Sequence, residues 1–283
     1  MNRVKINGIS FLLPARWSDI TDRAQFVDIC RALYEFETGI TSFDEFRLGL
    51  ALAALRLQPS KLRNTETLQE NLFRISELLD FPYTITEQED GLRTAVINIR
   101  LEQNLLPEVG GITGYRYVTD AAGVVDTTIT AQQYIEALSL LQLFGPSVSK
   151  GSGVQDILDN LVQTLYPGAK GYTPAEAMAV FYNYRGIMAT IASDPDYDLL
   201  FHTQPSDNAP SPAGPQAAIF ALSKAGYGNI ESVRNLDVYT YLAALTQQTI
   251  DSIRALSSAG MKTGEIASRL SLTAEQVAPY ITK

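Results

Sequence analysis

Three helix-start signals constrain this chain more than any other feature. Ser42 is followed three residues later by Glu45, and Thr130 by Gln133. Thr173-Pro174-Ala175-Glu176 adds a proline at the first helical position. In each, a hydroxyl accepts from a backbone N–H three residues on while the acid or amide reaches back, so two orphan donors are satisfied together. Phe46, Leu50, Ala53, Ala54 and Leu57 follow the first signal at helical spacing; Tyr134, Ala137, Leu138 and Leu141 follow the second. A helix with one apolar stripe must bury it, which predicts a mainly α fold.

Further helices are expected from about Thr21 (Phe26, Ile29, Cys30, Leu33), over 65–80 (Leu68, Leu72, Ile75, Leu79), and over 154–165 (Ile157, Leu158, Leu161, Val162, Leu165). Others are expected near 215–225, 236–258, 263–270 and 274–281. The helix opened by Thr173 should reach about Ser193, and the helix opened by Ser42 should stop at Pro59. Asn7-Gly8 between Val4–Ile6 and Ile9–Leu13 reads as a hairpin turn, because this pair accepts positive φ. Tyr83–Thr86 and Leu92–Ile99 flank Asp90-Gly91 as a second hairpin, and Ile112–Val118 as a further extended piece. Gly145-Pro146 through Gly153 reads as a break. Asp194–Pro215, with five prolines, reads as a long exposed loop.

The expected architecture is a helical bundle with one or two short β-hairpins and a small C-terminal helix-turn-helix-like pair. Its segments are 1–80 (hairpin plus three helices), 81–193 (mixed), 194–215 (Pro-rich loop), 216–258 (helices) and 259–283 (the pair). A chain of 283 residues, 46% hydrophobic and 19% charged, has the composition of a globular protein with a sizeable core. Disordered, collagen-like and highly charged coiled-coil classes are excluded.

The 22 Lys and Arg against 31 Asp and Glu give a net charge of −9, most of it (−7) between residues 101 and 230. Such an anion repels DNA phosphates and anionic lipid at long range. The N-terminal stretch Ile9–Leu13 is too short for a signal-peptide core and no apolar window approaches a membrane span, so a cytoplasmic protein is expected. Cys30, the single cysteine, excludes an internal disulfide and sits at an apolar helical position, as a core thiol would.

Catalytic chemistry is hard to assemble from these residues. His202, the single histidine, lies inside the Pro-rich loop, where no packed shell would fix its tautomer. Asp194, Asp196 and Asp198 alternate as loop ligands might, but lack the later glycine and glutamate of a calcium loop, and read as a helix-ending turn. Gly110-Gly111-Ile112-Thr113-Gly114 lacks the lysine of a phosphate loop, and Gly145 to Gly153 with Lys150 fails its spacing. The expectation is therefore no enzyme, with no catalytic, cofactor-binding or metal-binding residue and no cofactor.

Interaction residues are a different matter. Tyr182 with Tyr184, and Tyr239 with Tyr241, stand two apart on helices, so neither pair shares a face and some rings should be exposed. Residues 259–283 place Thr263 and Thr273 as caps, with Ile266, Ala267, Leu270, Val277 and Tyr280 spaced to pack two helices together. A DNA reader needs donors at the start of its second helix. This one offers Ala274, Glu275 and Gln276, with Pro279 behind, which favours a packing or docking module. Tyr239, Tyr241, Lys262, Arg269 and Gln276 are the candidate interaction residues.

Several stretches resemble a family of tail-associated proteins of phages and prophages from gut Bacteroidota, taken to be tail-assembly chaperones. They are Leu13-Pro14-Ala15-Arg16-Trp17-Ser18-Asp19-Ile20-Thr21, Asn104-Leu105-Leu106-Pro107, Thr128 to Tyr134, Leu158 to Pro167 and Ile230 to Leu242. The tail after about residue 255 departs from that pattern. The resemblance implies a non-enzymatic protein-binding factor in phage tail or virion assembly, with tail or virion proteins as partners. Its setting would be the cytoplasm of a bacterial host or the virion itself. Two other expectations stand beside it: a ring or connector subunit of the virion, and a regulator touching DNA through residues 259–283.

Overall fold

The structure is a computed structural model and describes residues 1–6, 9–57, 66–87, 93–201 and 215–281. In chain order the elements are β1 (Asn2–Ile6), β2 (Ile9–Leu13), α1 (Arg23–Glu37), α2 (Phe43–Ala54), α3 (Glu66–Ser76), β3 (Tyr83–Glu87), β4 (Arg93–Ile97), β5 (Glu108–Val109), β6 (Ile112–Thr113), β7 (Tyr117–Thr119) and β8 (Val125–Thr127). Then follow α4 (Ala131–Lys150), α5 (Val154–Leu165), α6 (Pro174–Ala192), α7 (Asp198–Phe201), α8 (Pro215–Lys224), α9 (Ile230–Arg234), α10 (Val238–Ser258), α11 (Thr263–Leu270) and α12 (Ala274–Val277). The fold is mainly α, with short two-stranded antiparallel sheets. The turns at Asn7-Gly8 and Asp90-Gly91 and the stop at Pro59 lie outside the described residues, as does the side chain of Leu68.

The chain divides into two compact units. The first comprises Met1–Val124 and Leu140–Ala189, the second Val125–Ser139 and Thr190–Lys283. This differs from the sequence segmentation. Residues 1–80 and most of 81–193 share one unit, and 259–283 belongs with the helices before it, because the buried residues of these segments pack into common cores.

In the first unit, Ser42 and Glu45 form their reciprocal cap, and Phe46, Leu50, Ala53 and Ala54 are buried behind it. The Gln25 amide donates to the Ala54 carbonyl at 2.8 Å, which satisfies a C-terminal carbonyl of α2 from α1. α2 ends there, short of Leu57, with Arg56 in a left-handed conformation. α1 starts at Asp22, whose carboxylate accepts from the Gln25 N–H, one residue beyond the expected Thr21. Phe36 stacks on Phe46 at 4.5 Å, and Tyr83 meets both Phe43 and Phe46 at 5.5 Å. Trp17 is anchored by its indole N–H to the Asn98 carbonyl and by an edge contact with Phe81. Cys30 is fully buried, which pushes its thiol pKa well up.

The expected break at Gly145-Pro146 is instead the last part of α4. Pro146 carries no N–H for the carbonyl four residues earlier. Phe144 nevertheless stacks on Phe181 at 4.2 Å and meets Tyr34 at 6.2 Å, and this packing outweighs the local preference. The middle of α6 is largely enclosed: Phe181, Tyr182, Asn183 and Tyr184 are all at most 2% exposed. The i, i+2 argument for an exposed ring fails there because the enclosed part of the helix covers both ring positions, leaving only a narrow half-exposed stripe with Met178, Arg185 and Ala189.

In the second unit the start of α4 is tied to the start of α10. The Ala131 N–H donates to the Leu236 carbonyl and the Val238 N–H to that of Ile129. Tyr134 and Tyr241 pack ring to ring at 6.2 Å. α9, capped by Asn229, is a five-residue helix that the periodicity did not separate from α10. The expected loop at 194–215 opens with ordered turns: a 3-10 turn at Pro195–Tyr197 runs into α7, burying Tyr197 and Leu199. The remainder, residues 202–214 with His202, lies outside the described residues.

Candidate interaction site

The C-terminal pair is built from a few apolar contacts and two caps. Ile266, Ala267, Leu272 and Val277 are buried with Ile253 of α10 and Leu199 of α7, and Leu270 and Tyr280 pack against them half-buried. All five residues expected to pack the two helices together are therefore in or against this cluster. The turn between α11 and α12 uses Ser271 in a left-handed conformation (φ 60°), uncommon for a residue with a side chain. α11 is capped one residue earlier than expected: Lys262 occupies the cap position and its N–H donates to Glu265, so Thr263 is the first helical residue. Thr273 does cap α12, its hydroxyl accepting from the Gln276 N–H at 3.1 Å.

Gln276 is the pivot. Its side-chain oxygen accepts from the Thr273 N–H at 2.9 Å. Its amide nitrogen donates to the Asp198 carboxylate at 2.7 Å and the Asp198 carbonyl at 3.1 Å. The amide thus clamps α12 onto α7 and is engaged within the fold, where a base-reading amide would have to project outward.

Beside this clamp lies a groove of about 620 Å3 lined by Pro195, Asp196, Asp198, Leu199, Glu275, Tyr280 and their neighbours. Leu199 is buried at its base, while Pro195, Asp196, Glu275 and Pro279 are exposed at its mouth. Among the described residues, no Lys or Arg lines it. The local field is negative: the Tyr197 phenol is pushed up to about 12, first by burial and then by the carboxylates of Asp194, Asp196 and Asp237. The Asp194 carboxylate accepts from the Asp196 N–H at 3.0 Å, which caps the 3-10 turn. Among the described residues, no group of three or more His, Cys, Asp or Glu side chains converges as metal ligands would.

The other sequence candidates are dispersed. Lys262 and Arg269 are exposed on α11 but do not line the groove. Tyr239 is half-buried, its carbonyl accepting from the Tyr197 hydroxyl and its ring 5.8 Å from that of Tyr197. Tyr241 is only 2% exposed and cannot act as a surface anchor in this conformation, because the pairing of α4 and α10 encloses its ring beside Tyr134. Sequence reasoning passed over Asp196 and Asp198 as a turn. Their alternation was visible, but the partner of Asp198 is 78 residues away.

In the first unit, polar side chains converge in a closed arrangement. Asn183, fully buried on α6, accepts from the Leu105 N–H at 3.0 Å and donates to Asn104 Oδ1 at 2.8 Å and to the Tyr115 hydroxyl at 2.7 Å. Asn104 also accepts from the Leu106 N–H and donates to the Tyr115 carbonyl. The Tyr166 hydroxyl donates to the Leu106 carbonyl at 2.5 Å. Burial raises the pKa of Tyr115 and Tyr166 well above that of a free phenol. Each of these groups answers another, so the cluster fixes the 104–106 segment and presents nothing to a substrate. A cavity of about 460 Å3 lined by Arg16, Trp17, Arg100, Leu101, Glu102 and Thr119 has mixed charge.

No helix among the described residues is long and apolar enough to cross a membrane. Comparison with known proteins found no matching family model, no matching curated protein and no matching solved structure.

Proposed function

We propose that this protein is a non-enzymatic protein-binding factor that acts in phage tail or virion assembly, holding a partner against its C-terminal unit. The observation that carries the reading is the open groove between α7 and α12, a concave surface with an apolar base on a module fixed by the Gln276–Asp198 clamp. A preorganised concavity of this kind binds with little ordering cost. The stretches that resemble phage tail-associated proteins supply the setting. Contact with DNA through residues 259–283 is disfavoured by the same geometry, since Asp196, Asp198 and Glu275 surround the start of α12 and repel phosphate.

The test is a pull-down of the full chain against purified phage tail-tube and tape-measure proteins. Retention of one of them, lost on truncation after Ser258, is the expected outcome. No retention of either contradicts the reading. Mass spectrometry of purified virions then separates an assembly factor, absent from the particle, from a ring or connector subunit, which stays in it. A gel-shift assay at low salt should show no DNA complex.

A further inference from the structure

We infer that the groove between α7 and α12 takes a cationic segment of a partner protein, one that alternates lysine or arginine with apolar side chains. The inference rests on the protein-binding reading and names the chemistry of the partner.

The groove combines two kinds of surface. Part of its lining is apolar: Leu199 is buried, Pro195 and Pro279 are exposed and Tyr280 is half-buried, beside the polar Thr273 and Gln276. Its mouth carries the carboxylates of Asp196 and Glu275, both exposed, and neither has an ion-pair partner among the described residues. The third carboxylate, Asp198, is held in position by the Gln276 amide. A purely apolar segment would leave these charges unsatisfied and partly desolvated. A purely cationic one would leave Pro195, Pro279 and the ring of Tyr280 in contact with water. A segment bearing both kinds of side chain satisfies both surfaces, and the charge pattern would speed its encounter and fix its register.

The geometry also argues against the other polymers that carry charge. Nucleic acid and anionic lipid meet like charge here. A polyamine satisfies the carboxylates but has no side chains for the apolar base.

The experiment is fluorescence anisotropy on the full chain with a labelled peptide that alternates lysine with leucine and alanine. Its competitors are a glutamate-for-lysine version, a glycine-for-leucine version and spermine. The lysine–leucine peptide should bind and weaken as salt rises, because exposed charges are screened. The glutamate version should not compete. The Asp196→Asn, Glu275→Gln double variant should bind roughly fivefold more weakly, as expected for two rim charges. Glu231→Gln, on α9, should bind as the parent does. Equal competition by the glutamate peptide, or an unchanged affinity in the double variant, would overturn the cationic assignment while leaving a protein-binding groove standing. Equal competition by spermine or the glycine version would overturn the apolar half. Loss of partner capture in the pull-down, with peptide binding intact, would instead count against the assembly role alone.

Discussion

The two units use polar side chains in opposite ways. In the first, Asn183, Asn104, Tyr115 and Tyr166 are turned inward and bonded to one another and to the backbone at 104–106. In the second, Gln276 and Asp198 form a similar amide-centred contact, yet they stand half-buried beside an open groove. A closed polar cluster in a low-dielectric interior specifies one packing, and breaking it is costly. An open one at the surface costs little to disturb and leaves charge available to a partner. On the proposed reading, the first arrangement serves stability and the second recognition.

Alkali should have the largest effect, and it acts on both units, because burial also raises the phenols of Tyr134, Tyr197 and Tyr241 in the second. Burial raises the pKa of Tyr115, Tyr166 and Tyr182 in the first unit, so the folded state holds protons that the unfolded chain releases near pH 10. Their stabilising contribution is complete below that pH and lost as pH rises through the folded values. Tyrosinate absorbance should therefore show a fraction of phenols ionising only together with the loss of far-UV circular dichroism. Ionisation of all fourteen tyrosines near pH 10 with structure retained would break the account of a closed interior.

Asn183→Ala comes next. It leaves the Leu105 N–H, Asn104 Oδ1 and the Tyr115 hydroxyl short of a partner, and should cost about 3 kcal/mol in urea unfolding. Gly114→Ala should cost about 2 kcal/mol, because a Cβ there would lie 2.1 Å from a ring carbon of Tyr166. A stable, unperturbed variant at either position would show that the cluster is looser than described. Gln276→Ala should be the mildest, about 1 kcal/mol, since water reaches the groups it releases. A loss as large as that of Asn183→Ala would remove the distinction between the two regions.

Local signals were legible wherever the cause was local. The Ser42–Glu45 cap, the α5 stripe ending at Pro167, and the Thr173-Pro174 start of α6 are all set by neighbours within four residues. Pro146 misled because the stacking of Phe144 on Phe181, 37 residues away, outweighed a breaker. The cap of α11 moved to Lys262 because Glu265 reaches the Lys262 N–H, whatever the hydroxyl of Thr263 offers. Asn183 was passed over, although an amide between two tyrosines on an otherwise apolar helix is itself a sign of a buried polar contact. The groove was half visible: Glu275, Gln276 and Pro279 were noticed, but only the fold brings Asp196 and Asp198 to them.

Hydrogen–deuterium exchange on the full chain, alone and saturated with the lysine–leucine peptide, tests recognition at the groove most directly. Slowed exchange confined to residues 195–201 and 272–281 is the predicted result. Slowing confined to the first unit, or none anywhere at saturation, would contradict it.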